Sequence, residues 1–295
     1  MVSEKGEVKF NQKPADSEPE EKPIRKTAWE EGVEEERKKL KAALLEVVES
    51  ARKKGAPVNE YGRIDMNSYS EIQGYDVEDD EKYVANRRQQ WKGGISQEAF
   101  EEQKLRETGG KFEALKTAIC SKFLGKDFIV VRSSAYDDIH KGIDNVILKV
   151  VTNEVVCAFD EVGEISGDEF KHKMEEVLAK NKNEGGGKLK YGLGFDENSK
   201  GKKELVLKKV FNIPIMCLAL SPDMIKKGIG GYTSLYEKKS EPEKELFIMF
   251  VKFLNFQIGK IEADREINKG LKDKLSNFRE VLRKVAEKSG ITSIA

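Results

Sequence analysis

Three short runs rich in β-branched residues, Phe128 to Arg132, Ile143 to Val151 and Val155 to Val162, follow one another closely near the middle of the chain. Runs this brief and apolar read as buried strands rather than helices, and they constrain the fold more than any other feature. Just before them, Phe112, Leu115, Ile119 and Phe123 recur at helical spacing up to Gly125. After them, Ser166 and Glu169 have capping-box spacing and open a helix with Phe170, Met174, Val177 and Leu178 on its inner face. A glycine- and lysine-rich loop, Gly185 to Lys203, leads to the apolar run Val210 to Leu220. The predicted order is helix, strand, strand, strand, helix, strand: an α/β core over 111–220 with a mixed central sheet flanked by helices.

The remainder of the chain adds helices to that core. Residues 1–26 carry Pro14, Pro19 and Pro23 among Glu, Lys and Ser, with almost nothing apolar to offset the entropy of ordering, and are expected to be a disordered acidic head. Residues 27–110 form a helical N-terminal region. Its first helix opens at a Thr27/Glu30 capping box, carries Trp29, Val33, Leu40, Leu44, Val47, Val48 and Ala51 on one stripe, and ends at Gly55 and Pro57. The acidic cluster Glu78, Asp79, Asp80 and Glu81 reads as a solvated loop, and a helix is expected from Ser96. Within 221–295, Glu243 to Ile258 is apolar on most faces and should be buried. Ile267, Leu271, Leu275, Phe278, Leu282 and Val285 form a narrower stripe for packing on the core or on a protein partner.

Length and composition exclude several classes. A chain of 295 residues accommodates one large or two modest domains, and its 53 basic and 53 acidic residues give no overall bias toward a polyanion. The longest apolar stretch, Leu246 to Ile258, is shorter than the roughly 20 residues of a membrane-crossing helix, so no membrane partner is expected. The start MVSEKGEVKF has no apolar run behind a basic one, which points to the cytoplasm. Cys120, Cys157 and Cys217 are widely spaced beside apolar neighbours and read as core thiols.

Carboxylates at the ends of apolar strands carry the chemistry. A hairpin turning around Thr152 and Asn153 sets Asp144 across from Asp160 or Glu161, depending on whether the turn has three residues or two. Either register brings two acids together. Like charges so close resist joint ionisation unless a cation neutralises them, and oxygen ligands of this kind suit magnesium or manganese.

With its helix-strand-strand-strand-helix-strand order and these acids, the region 111–220 resembles the PD-(D/E)XK, or restriction-endonuclease-like, phosphodiesterase superfamily. The resemblance implies a divalent metal held by an acid on the first helix, an Asp near the start of the second strand and an Asp or Glu on the third, which fall on Glu113, Asp144 and Asp160, with Glu161 as the alternative. It also implies a lysine two residues after the third acid, where this chain has Val162. Lys171 and Lys173, early on the following helix, are the candidates to replace it. Lys149 points to the opposite sheet face. The implied function is a metal-dependent nuclease, active or lapsed, on DNA or RNA.

Other residues read more plainly. Asp137 and Asp138 lie in an expected loop, as turn formers or as further substrate or metal contacts, and His140 and His172 are polar surface residues. The lysine-rich segment 188–209, with Lys188, Lys190, Lys200, Lys202, Lys203, Lys208 and Lys209, offers a track for a phosphate backbone, although solvated lysines are the more frequent case. The missing lysine favours a second reading, a non-catalytic protein-interaction module on a nuclease-like fold. A third, nucleotidyltransferase, rests on Ser133 and Ser134 before Asp144, but Arg132 and Val146 stand where that family has a glycine and a second acid.

Overall fold

Alternation along the central strands sorts their side chains onto two faces, and both faces are buried. The structure is a computed structural model that describes residues 28–93, 95–162 and 168–290. The expected disordered head, the Thr27 and Ser166 helix caps and the side chains of Glu161 and Val162 lie outside the described residues. Strands β1 (Phe128–Arg132), β2 (Asn145–Lys149), β3 (Glu154–Val162) and β6 (Ile215–Ala219) form one sheet in that order. β2 pairs antiparallel with both β1 and β3, and β6 runs parallel to β3. The sheet is therefore mixed, as expected, with helices around it.

One face, with Phe128, Val130, Ile147, Phe159, Met216 and Leu218, packs under helices α1 (Ala28–Lys53), α4 (Thr108–Leu124), α7 (Pro222–Gly231), α8 (Glu241–Ala263) and α9 (Lys269–Lys288). The other, with Ile129, Val131, Val146, Leu148, Ala158, Ile215 and Cys217, is covered by helix α6 (Asp168–Asn183), by the ribbon of β4 (Gly187–Glu197) and β5 (Lys203–Ile213), and by Val58, Ile64, Met66 and Tyr69. Burial on both sides explains why these strands read as continuous apolar runs. The three cysteines are buried and free. α8 buries Leu246, Phe247, Phe250, Val251, Leu254 and Ile258 but leaves Phe256 exposed beneath Lys260. None of the described helices is long and apolar enough to cross a membrane.

Both rims of the sheet are occupied. On β6 the Asn181 side chain accepts from the Ile215 N–H at 2.9 Å and donates to its carbonyl at 2.7 Å, and Gln257 does the same for Cys217 at 2.8 and 2.6 Å. At β1, Arg132 donates its N–H to the Gly62 carbonyl and accepts from the Ile64 N–H. The Lys54 ammonium takes the Phe128 carbonyl.

Four expectations change. The acidic cluster at 78–81 is not a loop: it lies in the first two turns of helix α2 (Val77–Lys92), capped by Asp76, where negative charge is favoured by the helix dipole. Asp137 and Asp138 lie in a short helix, α5 (Ala135–Lys141), between a Ser134 cap and a left-handed Gly142, rather than in a loop. The segment Gly185 to Lys203 is mostly strand β4, and the run Val210 to Leu220 is split by Pro214 into the end of β5 and β6. Gly192 belongs in that ribbon because a Cβ there would stand 2.6 Å from a Val210 methyl. Finally, the β2–β3 turn spans four residues, 150–153, and a bulge at Ile147/Leu148 restores a register that continues to Asp144 opposite Asp160.

Candidate metal centre

Helix α4 enters the sheet with nearly every residue buried, Glu113 and Lys116 among them, so both charges must find partners inside the protein. Glu113 accepts from Arg132 Nε at 2.6 Å and Nη2 at 2.9 Å, and is approached by Arg63 and Lys104 at 3.4 Å each. Glu101, on helix α3 (Gln97–Lys104), pairs with Arg63 at 2.8 Å and Arg132 at 3.1 Å. Asp138 of α5 reaches Arg63 at 2.9 Å and Lys104 at 3.4 Å. Burial alone would push the Glu113 carboxyl up, but Arg132, Lys104 and Arg63 outweigh it and hold it well below the usual carboxylate range.

Within this network, Glu113, Asp138 and Asp144 each offer a carboxylate oxygen, and the three oxygens lie within 4.8 Å of one another. Around magnesium, neighbouring oxygen ligands stand about 3 Å apart and opposed ones about 4 Å, so the three carboxylates would have to close by up to about 2 Å to share one ion. Asp144 stands just before β2, its N–H donating to the Phe159 carbonyl at 2.8 Å. Burial, followed by the charges of Asp138, Glu113 and Asp160, raises its carboxyl well above the ordinary value. The Lys116 ammonium acts against that shift. It sits 4.8 Å from the Phe159 ring centroid, burial pushes its pKa down to about 8, and Asp144 is the strongest charge opposing that lowering.

Of the residues expected to ligate metal, Glu113 and Asp144 are thus together, and Asp138 completes the group. Asp160 is elsewhere engaged: buried in β3, it pairs with Lys173 at 2.9 Å and Lys180 at 3.3 Å. Lys173 does reach over from α6 as expected, but onto Asp160, and Lys171 is exposed. Asp137 is a structural anchor, its buried carboxylate accepting from Ser134 Oγ at 2.8 Å and from the N–H groups of Lys190 and Tyr191 at 2.8 and 3.0 Å. Ser133 and Ser134 are also buried and hydrogen-bonded, Ser133 to the Ile143 carbonyl and Ser134 as the α5 cap.

Sequence reasoning missed Lys116, although it stands on the helical stripe, four residues after Phe112 and three before Ile119, where a lysine is out of place. Comparison with protein-family models, with curated proteins and with solved structures finds no match to this chain.

Proposed function

We propose that the chain is a nuclease-like, metal-dependent phosphodiesterase acting on nucleic acid. The observation that carries this reading is the convergence of the Glu113, Asp138 and Asp144 oxygens within 4.8 Å beside the buried Lys116. Oxygen donors alone favour magnesium or manganese over zinc. Bound there, such an ion would polarise a phosphodiester and stabilise charge on the leaving oxygen. Lys116, with a pKa near 8, is suited to hold or release a proton beside Asp144, the task that the restriction-endonuclease-like pattern gives to the position held by Val162. The element order α4-β1-β2-β3-α6-β6, with α5 and the β4–β5 ribbon as insertions, supports the same reading.

The test is thermal stability with and without manganese. At a concentration about 100 times the dissociation constant, the ion should stabilise the wild type by about 2.7 kcal/mol. Asp138→Asn and Asp144→Asn should lose that gain, whereas Asp160→Asn should keep it. Equal effects of manganese on wild type and on both triad variants would refute the site. Labelled DNA and RNA then test catalysis: Lys116→Met should retain the manganese gain and lose cleavage.

The bidentate Arg132–Glu113 pair favours one alternative, a non-catalytic module in which the buried charges only brace the fold. Under it, manganese stabilises nothing and no phosphodiester is cut.

A further inference from the structure

The lysine-rich ribbon carries Tyr191 beside Lys190 in sequence and gains further aromatic neighbours in space. Tyr136 and His140 lie one turn apart on α5, with ring centroids 5.1 Å apart, and Tyr83 of α2 stands 5.8 Å from Tyr136 and 5.6 Å from His140. The cluster continues inward through Tyr191 of β4, 5.8 Å from Tyr136, to Tyr69 and Tyr75 at 5.0 and 5.6 Å from Tyr191. Exposure runs outward along it. Tyr69 and Tyr191 are buried, Tyr75, Tyr83 and Tyr136 are partly exposed, and His140 is exposed.

Lysines sit over these rings. The Lys190 ammonium is 5.0 Å from the Tyr136 centroid and 5.8 Å from that of Tyr191, and Lys209 is 5.4 Å from Tyr75. Lys141, Lys188 and Lys209 are exposed, Lys141 next to His140 in sequence and Lys188 two residues before Lys190 on β4. The nearby acids are largely engaged: Asp80 accepts from the Tyr191 hydroxyl at 2.5 Å and pairs with Lys190, and Glu78 and Asp79 pair with Lys82. The bonds from Asp137 to the Lys190 and Tyr191 N–H groups fix β4 against α5 and hold the rings in place.

We infer that Tyr83, Tyr136 and His140, rimmed by Lys141, Lys188, Lys190 and Lys209, form a stacking platform for unpaired bases of a single-stranded nucleic acid. Aromatic rings interleaved with cations bind such strands without regard to sequence, because every base has a stacking face and every linkage a phosphate. Bases paired in a duplex are closed to that contact. The inference rests on the phosphodiesterase reading for its purpose: α5 carries Tyr136 and His140 of the platform as well as Asp138.

Fluorescence anisotropy in EDTA, with labelled oligothymidylate and oligouridylate against a duplex of matched length, separates this inference from cleavage. Single strands should bind more tightly than the duplex. Tyr83→Ala and Tyr136→Ala should each weaken single-strand binding roughly 5- to 150-fold, while Tyr136→Trp, which keeps a stacking face, should restore it. Melting of each variant checks that it is folded, and all should keep the manganese gain. Equal affinity for single strand and duplex, wild-type affinity in both alanine variants, or no binding of any single strand would overturn the platform. Loss of the manganese effect with single-strand binding intact would overturn only the phosphodiesterase.

Discussion

Glu101 shows what a single buried carboxylate requires. Burial pushes its pKa up, yet Arg63, Arg132 and Lys104 outweigh that and hold it down to about 2. A carboxyl depressed in the fold contributes stability above its unfolded pKa, about 4.3, and that contribution disappears as pH falls through the folded value. Glu101→Gln should therefore cost about 3–5 kcal/mol at pH 7, because it strands arginine charge in the interior, and progressively less as pH falls from about 4 toward 2. Urea unfolding at both ends of that window checks it, and a pH-independent difference would contradict the ion-pair account. At this scale the sequence was only partly legible. Asp144 stood out because an acid there interrupts an apolar run, and Glu113 through the family resemblance, but Asp138 looked like a turn residue beside Gly142. Asp160 carries the same sequence signal as Asp144 but is paired with Lys173, which was expected to reach over, and with Lys180, which was not.

Elements were legible where periodicity was strong. β1 spans Phe128–Arg132, as the β-branched run predicts, and α3 begins behind its Ser96 cap. The errors fell on segments whose residue types contradict their setting. α5 holds two Asp and a His between the caps Ser134 and Gly142, and β4 contains Gly192 and Gly194, so each resembles a loop until its neighbours are known. Glycine can also mark close packing between helices. A Cβ on Gly228 of α7 would stand 2.4 Å from a Leu246 methyl and 2.7 Å from a Leu115 methyl, while one on Gly230 meets nothing within 4 Å. Gly228→Ala should destabilise by about 1–3 kcal/mol less the helical gain of alanine, whereas Gly230→Ala should stabilise by about 0.4–1 kcal/mol. Opposite shifts of the urea midpoint are expected. A midpoint raised by both would mean that the two leucines yield freely.

Across the whole molecule, stability depends on two cores separated by one sheet. Phe250 is 1% exposed in the helical core, its ring 6.3 Å from that of Phe112. Phe250→Asp places an uncompensated charge there and should cost on the order of 4–5 kcal/mol or prevent folding, read as loss of the cooperative thermal transition. An unchanged melting temperature would show that α8 is not part of the core. This two-sided burial was legible in the sequence, since runs without polar alternation require cover on both faces. What could not be read was which elements supply that cover, because the second face is closed by a ribbon assigned to a loop.

The amides of Asn181 and Gln257 have a consequence for aggregation. An unpaired strand rim is a template onto which another chain can add a rung, and natural sheets guard against such recruitment. Here two side chains on α6 and α8 occupy the rungs at Ile215 and Cys217. Replacing both with alanine should leave a chain that still folds but, on mild heating, forms thioflavin-binding fibrils sooner than the wild type, because β6 has become a seed.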